Sequence, residues 1–193
     1  MDTRRGFHEE LDAVKAELVR LGALVCETIP RGTQVLLDGD LDAAQSLIDD
    51  DDVLDDISLD VEERCYRLFA LQQPMAGDLR ALVTAVRLSS EIERSGDLMV
   101  NVAKAARRIY GLLIDPRVRG RAQQMSDEAL RLYRHAIDAY AQGDAPMAAA
   151  LDDMDDTLDA IHRDYIAAVL ETCRSGAMDV QAAVQLALVG RYY

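Results

Sequence analysis

The amino-acid sequence predicts an all-α fold made of helical bundles. Half of the 193 residues are apolar, which is enough for a sizeable core. The chain has no Trp, two Phe and only four Pro. Apolar residues recur at three- and four-residue spacing, and no segment shows a strand signal. Short turns containing Gly or Pro separate the helical segments, as in antiparallel bundles.

Six helices are predicted from the apolar spacing and the turn signals between them. Pro30 lies inside the first helix and is expected to kink or locally break it. Asp40 and Asp144 each follow a glycine and are candidate N-caps. Pro74 is placed in the first turn of the third helix. The predicted spans are 7–37, 41–71, 74–113, 117–142 and 145–174, with a sixth helix starting near residue 179.

The second half of the chain repeats the first at an offset of 104 residues. Gly39-Asp40 then corresponds to Gly143-Asp144, and Asp49–Ile57 corresponds to Asp153–Ile161. Besides the glycines, the identical pairs are five aspartates, one of which is Asp40 with Asp144, together with a leucine and an isoleucine. Such a match indicates an internal duplication. We therefore predict a tandem duplication of two antiparallel three-helix bundles, residues 1–114 and residues 115–193.

Charge and cysteine usage restrict the environment and the partners. The formal net charge of −14 would repel phosphate backbones and anionic lipid head groups, so nucleic acid is not an expected partner. Cys26, Cys65 and Cys173 form an odd set without a C-x-x-C pair, which favours reduced thiols and a cytoplasmic location. No apolar stretch approaches the roughly 20 residues of a bilayer span. Contact with a membrane is therefore expected only through partner proteins.

Two acidic pairs are predicted to face each other across the second and third helices. Glu93 and Asp97 are four residues apart and share one helix face. Asp55 lies 19 residues before Pro74 and Glu93 lies 19 after it, while Asp51 and Asp97 lie 23 before and 23 after. Because the two helices form a hairpin about Pro74, equal counts place each pair at one height. Four carboxylates therefore converge beside one helix seam.

This cluster requires a compensating positive charge, because like charges at close range repel and partial burial adds a desolvation cost. Multivalent cations that prefer oxygen ligands, namely Mg, Ca, Mn or Fe, meet that requirement, with Zn as an alternative. The duplication predicts a second site that begins with Asp155 and Asp159. The competing interpretation is a solvated acidic face paired with Arg64, Arg87 and Arg94.

Several stretches resemble the motifs of a known family. Leu71–Arg80 (LQQPMAGDLR) is similar to the Q-x-P-x-A-x-D-L-R start of helix three in the PhoU family, and Glu93–Asp97 (ERSGD) is similar to its E-R-x-G-D. Asp51–Asp55 and Asp155–Asp159 resemble its D-x-x-x-D motifs. The resemblance covers nearly the whole chain. A second E-R-x-x-D is expected near position 197, beyond the last residue of this sequence, so the second site has half of its expected ligands.

The resemblance implies a cytoplasmic regulator that works between a phosphate ABC importer and a membrane sensor histidine kinase. It would damp the phosphate-starvation response when phosphate is plentiful. Some members of the family bind metal at the carboxylate motifs, so a divalent or trivalent ion (Fe, Mn, Mg or Zn) is the expected cofactor. The implied mechanism is binding and not turnover. The expected partners are the kinase, the importer and a second copy of the chain in a homodimer.

Two other classes of protein compete with this interpretation. A ferritin-like di-iron enzyme also places carboxylates in helical bundles, but it should carry E-x-x-H pairs on two helices. The sequence has none, and the nearest pattern is the single Asp159-x-x-His162. The third interpretation is a metal-free helical adaptor, in which the acidic residues are exposed to water and bind nothing.

Overall fold

The computed structural model describes residues 2–193, with side chains described from residue 5 onward, and this range is helical with no strand. The all-α prediction is therefore confirmed. The helices are α1 (Asp2–Asp38), α2 (Leu41–Asp49), α3 (Asp51–Gln72), α4 (Ala76–Arg108), α5 (Pro116–Gln142), α6 (Ala145–Ala149), α7 (Leu151–Arg174) and α8 (Val180–Val189).

The long helix α1 connects the two halves of the molecule. It packs against α3 and α4 in the first half and against α5 in the second, while α7 packs on α5 and α8 packs on α4 and α7. Leu18, Leu21 and Val25 of α1 are fully buried in a core to which both halves contribute. The predicted boundary between residues 114 and 115 lies in the connection between α4 and α5. No described helix is long and apolar enough to cross a membrane.

The two predicted N-caps are formed as expected. The Asp40 carboxylate accepts hydrogen bonds from the backbone N–H groups of Asp42 (3.0 Å) and Ala43 (2.9 Å). The Asp144 carboxylate accepts one from the N–H of Met147 at 2.9 Å. The glycine before each cap has a positive φ, +66° at residue 39 and +68° at residue 143, which ends the preceding helix. The same turn chemistry therefore recurs at the repeat offset.

The second and fifth predicted helices are each divided, so the prediction of six uninterrupted helices was wrong. The first division falls at Asp50, inside a run of four aspartates. Aspartate is a weak helix former in a helix interior but is favourable in a first turn, which Asp51 and Asp52 occupy in α3. An ion pair from Arg31 Nη2 to Asp50 Oδ2 at 2.7 Å also holds the junction. In the second half the division falls at Ala150, just after α6.

The structure bears on the predictions for two prolines. α1 continues through Pro30, so the local break does not form, and a kink at this position stays a prediction. Pro74 lies in the connection after α3, not in the first turn of the next helix, because Gln73 takes a left-handed conformation (φ +45°) and α4 begins two residues after Pro74.

The third predicted helix, which corresponds to α4, ends earlier than expected. α4 ends five residues before Leu113, because the chain turns at Gly111 (φ +83°).

Candidate functional site

The α3–α4 hairpin holds the candidate ligands on either side of a tightly packed seam. Inside the seam the hydroxyl oxygens of Ser58 and Ser89 lie 3.0 Å apart, and both side chains are buried. Ser58 lies one turn from Asp55, and Ser89 lies one turn from Glu93. A buried polar pair of this kind favours one register of the two helices, since a shift would leave hydroxyl groups unpaired.

Gly96 brings the two helices together at the carboxylates. A Cβ atom at Gly96 would stand 2.7 Å from Leu54 Cδ1 and 3.4 Å from Asp51 Oδ1. The Asp51 carboxylate therefore lies against the backbone of α4. A glycine between Glu93 and Asp97 permits this approach, because a Cβ at this position would overlap the Leu54 side chain.

The four predicted ligands of the first half lie close enough to repel one another. Burial raises the pKa of Asp51 to about 6, with further contributions from the charges of Asp55 and Asp97. The pKa values of Asp55 and Glu93 are also raised, first by burial and next by the charge of Asp97. The residue count about Pro74 had predicted this proximity. The role of the four residues as metal ligands stays a prediction.

No basic residue forms an ion pair with these four carboxylates in the part of the chain with described side chains. Arg64 instead pairs with Asp60, at 2.7 Å between Nε and Oδ2. Arg87 and Arg94 are exposed and form no ion pair with the cluster. The solvated face paired with Arg64, Arg87 and Arg94 is therefore not the arrangement that forms, and the acidic cluster lacks a paired cation.

The donor chemistry of the cluster fits a metal ion, but its geometry is not preformed. Carboxylates on two facing helices are suitable ligands for hard cations. In the described residues, however, no three His, Cys, Asp or Glu side chains converge in an arrangement that would hold an ion. Support for a metal therefore rests on the donor set and on the repulsion among its carboxylates.

Comparison with protein families identifies the fold. A family model for the PhoU domain matches residues 18–106 and 122–193. The chain belongs to the PhoU family. This confirms the resemblance drawn from the helix-three start and the E-R-x-G-D segment.

Curated relatives in the PhoU family match almost the full chain. A protein of Mycobacterium leprae (strain TN), named phosphate-specific transport system accessory protein PhoU homolog 1, is 34% identical and the match covers 98% of this chain and 85% of the relative. PhoU homolog 2 of Mycobacterium tuberculosis (strain ATCC 25618 / H37Rv) is also 34% identical, over 98% of this chain and 89% of its own length.

Two solved PhoU structures share the architecture. The crystal structure of PhoU from Pseudomonas aeruginosa matches with a TM-score of 0.89 at 24% identity, covering 96% of this chain and 89% of the other. The structure of the phosphate transport system regulatory protein PhoU from Streptococcus pneumoniae matches with a TM-score of 0.87 at 22% identity, covering 96% and 87%. At these identities the likeness shows the PhoU fold alone.

Two charged residues near the PhoU carboxylate cluster were missed from the sequence. The charge of Glu62 contributes to the raised pKa of Glu93, and the positive charge of Lys104 opposes the rise at Asp51. Glu62 lies seven residues after Asp55, and Lys104 lies seven residues after Asp97. Seven residues is two helical turns, so this spacing was the available signal.

Among the described residues, the second pair of predicted ligands forms no cluster comparable to the first. Asp155 lines a groove between α5 and α7, and Asp159 is exposed on α7. The repeat offset would put the counterparts of Glu93 and Asp97 at positions 197 and 201, outside the 193 residues. Asp155 and Asp159 therefore stay predicted ligands.

Proposed function

We propose that the chain is a cytoplasmic negative regulator of phosphate uptake and phosphate-starvation signalling. It would act by binding a sensor histidine kinase, a phosphate ABC importer or both. The observation that carries this proposal is the match to relatives named phosphate-specific transport system accessory proteins, 34% identical over 98% of the chain. The proposed action is binding and not turnover. A homodimer is part of the proposal as an assembly state.

Within this proposal Asp51, Asp55, Glu93 and Asp97 hold a divalent or trivalent ion, with Fe, Mn, Mg and Zn as candidates. A bound cation would supply the positive charge that no described ion pair provides. It would also join α3 to α4 across the seam and stiffen a surface that partners contact. This would link metal occupancy to partner binding without any chemical step.

Metal analysis of paired variants tests the first site. Glu93→Gln with Asp97→Asn removes two proposed ligands, whereas Asp52→Asn with Asp56→Asn removes the same charge from the exposed face of α3. We expect the affinity for Mn²⁺ or Fe³⁺ to fall about tenfold or more in the first variant only. Calorimetry measures the affinity, and elemental analysis measures the bound metal. Undiminished binding in that variant would remove the site assignment.

The second proposed pair needs a separate measurement. The double variant Asp155→Asn/Asp159→Asn should leave the first site intact. If Asp155 and Asp159 bind an ion, the number of metal ions bound per chain should fall. An unchanged stoichiometry would exclude Asp155 and Asp159 as ligands in this chain.

A separate measurement tests the alternative of a di-iron enzyme. Oxygen consumption by the unaltered chain upon addition of ferrous iron would favour that enzyme over a binding protein.

Partner binding is tested with the cognate kinase and importer. The purified chain, with and without bound metal, is mixed with the cytoplasmic portion of the kinase and, separately, with the detergent-purified importer. We expect a saturable complex with at least one of them, weakened in the Glu93→Gln/Asp97→Asn variant. Absence of binding to both partners under both conditions would contradict the regulatory proposal.

A further inference from the structure

The outer side of α4 carries three arginines in one line. Arg80, Arg87 and Arg94 are seven residues apart, which is two helical turns, so they lie one above another along the helix. All three are exposed, and none forms an ion pair in the part of the chain with described side chains. They lie opposite Ala85 and Ile92, which α4 buries in the core. The line is therefore available to charges outside the chain.

α3, which packs beside α4, carries acidic residues on its outer side. Asp56 and Glu63 are also seven residues apart, and both are exposed without an ion pair among the described side chains. Asp55 and Glu62 directly precede them, so each level carries two neighbouring carboxylates. The exposed exceptions outside the carboxylate cluster are one residue on each helix, Glu91 and Arg67. The hairpin therefore presents an acidic helix beside a basic one.

The acidic and basic levels match in height. Arg87 lies 13 residues after Pro74, and Glu63 lies 11 before it. Arg94 lies 20 residues after Pro74, and Asp56 lies 18 before it. The difference of two residues is the same at both levels and amounts to about 3 Å along the helix axis. Unpaired charges of opposite sign therefore stand at nearly the same heights on neighbouring helices.

Apolar side chains lie between the two charged lines. Leu59 and Tyr66 on α3 and Leu79 and Val83 on α4 are each 40–58% exposed. They share the outer side of their helices with the charges, since Leu59 lies about one turn from Asp56 and Val83 lies about one turn from Arg87. An apolar centre with a charged rim is typical of a protein–protein interface.

The second half of the chain lacks this pattern although it repeats the fold. At the offset of 104, the counterparts of Asp56, Glu63 and Arg80 are uncharged, namely Ala160, Ala167 and Val184. α7 and α8 are helical without these charges. The charges of the first half are therefore not needed to form such helices, which favours a role in binding.

We propose that the outer face of the α3–α4 hairpin, made of the two charged lines and the apolar residues between them, binds the same face of a second copy of the chain. A two-fold axis parallel to the helices places α3 of one copy on α4 of the other, so that acids meet arginines. An axis across the helices would instead place α3 on α3. The four helices then form antiparallel neighbours, as in a four-helix bundle. The inference rests on the homodimer in the proposed function and names its interface.

A second copy fits this face because one surface supplies both sides of the match. Arg87 of one copy meets Glu63 of the other, and Arg94 meets Asp56, and the two-fold symmetry repeats each contact. Asp55, next to Asp56, belongs to the carboxylate cluster that has no ion-pair partner among the described side chains. Arg94 of the second copy therefore also brings positive charge to that cluster.

Paired charge reversals test the interface. The first variant, Arg87→Glu/Arg94→Glu, makes both lines acidic. The second variant, Asp56→Arg/Glu63→Arg, places arginine on both lines. Sedimentation equilibrium gives the dissociation constant of the dimer for each chain, and circular dichroism checks the fold. The measurement is made in chelator and again in Mn²⁺, because the two carboxylate clusters lie at the same end of the interface and a cation would reduce their repulsion.

The control is Arg163→Glu/Arg174→Glu, which makes the same change in charge at two exposed positions of α7 without a described ion pair. We expect the parent chain and the control to dimerise equally. Each interface variant should raise the dissociation constant about tenfold or more. An equimolar mixture of the two variants should form a heterodimer about as stable as the parent dimer, because opposite charges then meet at every level.

Three outcomes would overturn the proposal. One is a parent chain that is monomeric in both chelator and Mn²⁺. Another is a dimer whose dissociation constant is unchanged in both interface variants, because the interface would then lie elsewhere. The third is weakening in both variants without a heterodimer in the mixture. Binding to the kinase and the importer is measured separately, so failure here is distinguishable from failure of the regulatory proposal.

Discussion

Gly96 on α4 lies so close to Leu54 on α3 that a Cβ atom at Gly96 would stand 2.7 Å from Leu54 Cδ1. Leu54 is buried, so its side chain cannot move away without disturbing the core. Asp51, one turn before Leu54, reaches the same point of the α4 backbone. The close approach of the two helices therefore also determines how close the carboxylates of α3 and α4 come to each other.

Gly96→Ala should destabilise the protein although alanine is the better helix former. Overlap with Leu54 should cost about 1–3 kcal/mol, which outweighs the gain of about 1 kcal/mol in helix propensity. Gly120→Ala on α5 is the matched control, since a Cβ at Gly120 meets nothing within 4 Å and its φ is not positive. Urea unfolding should show a lower midpoint for the first variant and an equal or higher midpoint for the second. A stabilised Gly96→Ala would show that α3 and α4 can separate at low cost.

Asp51 should make folding less favourable as the pH rises through its titration range. Its pKa is raised from 3.8 to about 6 in the folded chain. The folded state therefore binds more protons than the unfolded state between about pH 4 and pH 6, and the penalty is fully present at pH 7. In metal-free buffer, Asp51→Asn should stabilise the protein at pH 7 by about 1 kcal/mol, less than the full shift would give because solvent screens the half-buried group.

The control for this prediction is Asp52→Asn, which changes the same charge on the exposed side of α3. We expect no gain in its urea midpoint at pH 7, because a negative charge in the first turn of α3 is favourable. The advantage of Asp51→Asn should disappear at about pH 4, where the parent carboxyl is protonated in the folded state. A variant that is less stable than the parent at pH 7 would mean that ionised Asp51 has a favourable partner.

The hydroxyl groups of Ser58 and Ser89 should be energetically coupled. Each single change to alanine leaves one buried hydroxyl without its neighbour, whereas the double change removes both polar groups. The double variant should therefore be less destabilised than the sum of the single variants, by about 0.5–1.5 kcal/mol. Ser90→Ala, at the exposed neighbouring position, serves as the control. Strict additivity would show that the pair does not help to align α3 with α4.

Periodicity and turn chemistry allowed most of the fold to be predicted from the sequence. The caps at Asp40 and Asp144 are local features, so a glycine followed by an aspartate was enough to place them. The divisions at Asp50 and Ala150 were missed because a helix can be interrupted without a glycine or proline at that position. The division at Asp50 is also held by an ion pair with Arg31, 19 residues away. Local sequence patterns do not reveal such a contact.

The candidate site was predictable as far as helix register determines it. Equal residue counts about Pro74 were sufficient to bring Asp51 and Asp55 near Glu93 and Asp97, although α4 begins after Pro74 and not at it. A shift of two residues in the start of a helix changes the relative height by about 3 Å, which long carboxylate side chains tolerate. The pairing of Arg64 with Asp60 depends on side-chain conformation, and counting along the chain does not provide it.

Tyr193 should hold the segment after α8 against α1. Its hydroxyl lies 2.5 Å from Thr33 Oγ1, and Thr33 in turn donates to the carbonyl oxygen of Ile29 at 3.0 Å. Tyr193→Phe removes one hydrogen bond in a half-buried setting and should cost about 1 kcal/mol of unfolding free energy. Tyr110→Phe is the control, since Tyr110 is 66% exposed. Hydrogen exchange should also show faster opening at the end of α8 in the Tyr193 variant, because the hydroxyl contact holds the residues after that helix against α1. Unchanged exchange and an unchanged urea midpoint would mean that packing of the aromatic ring alone holds Tyr193 in place.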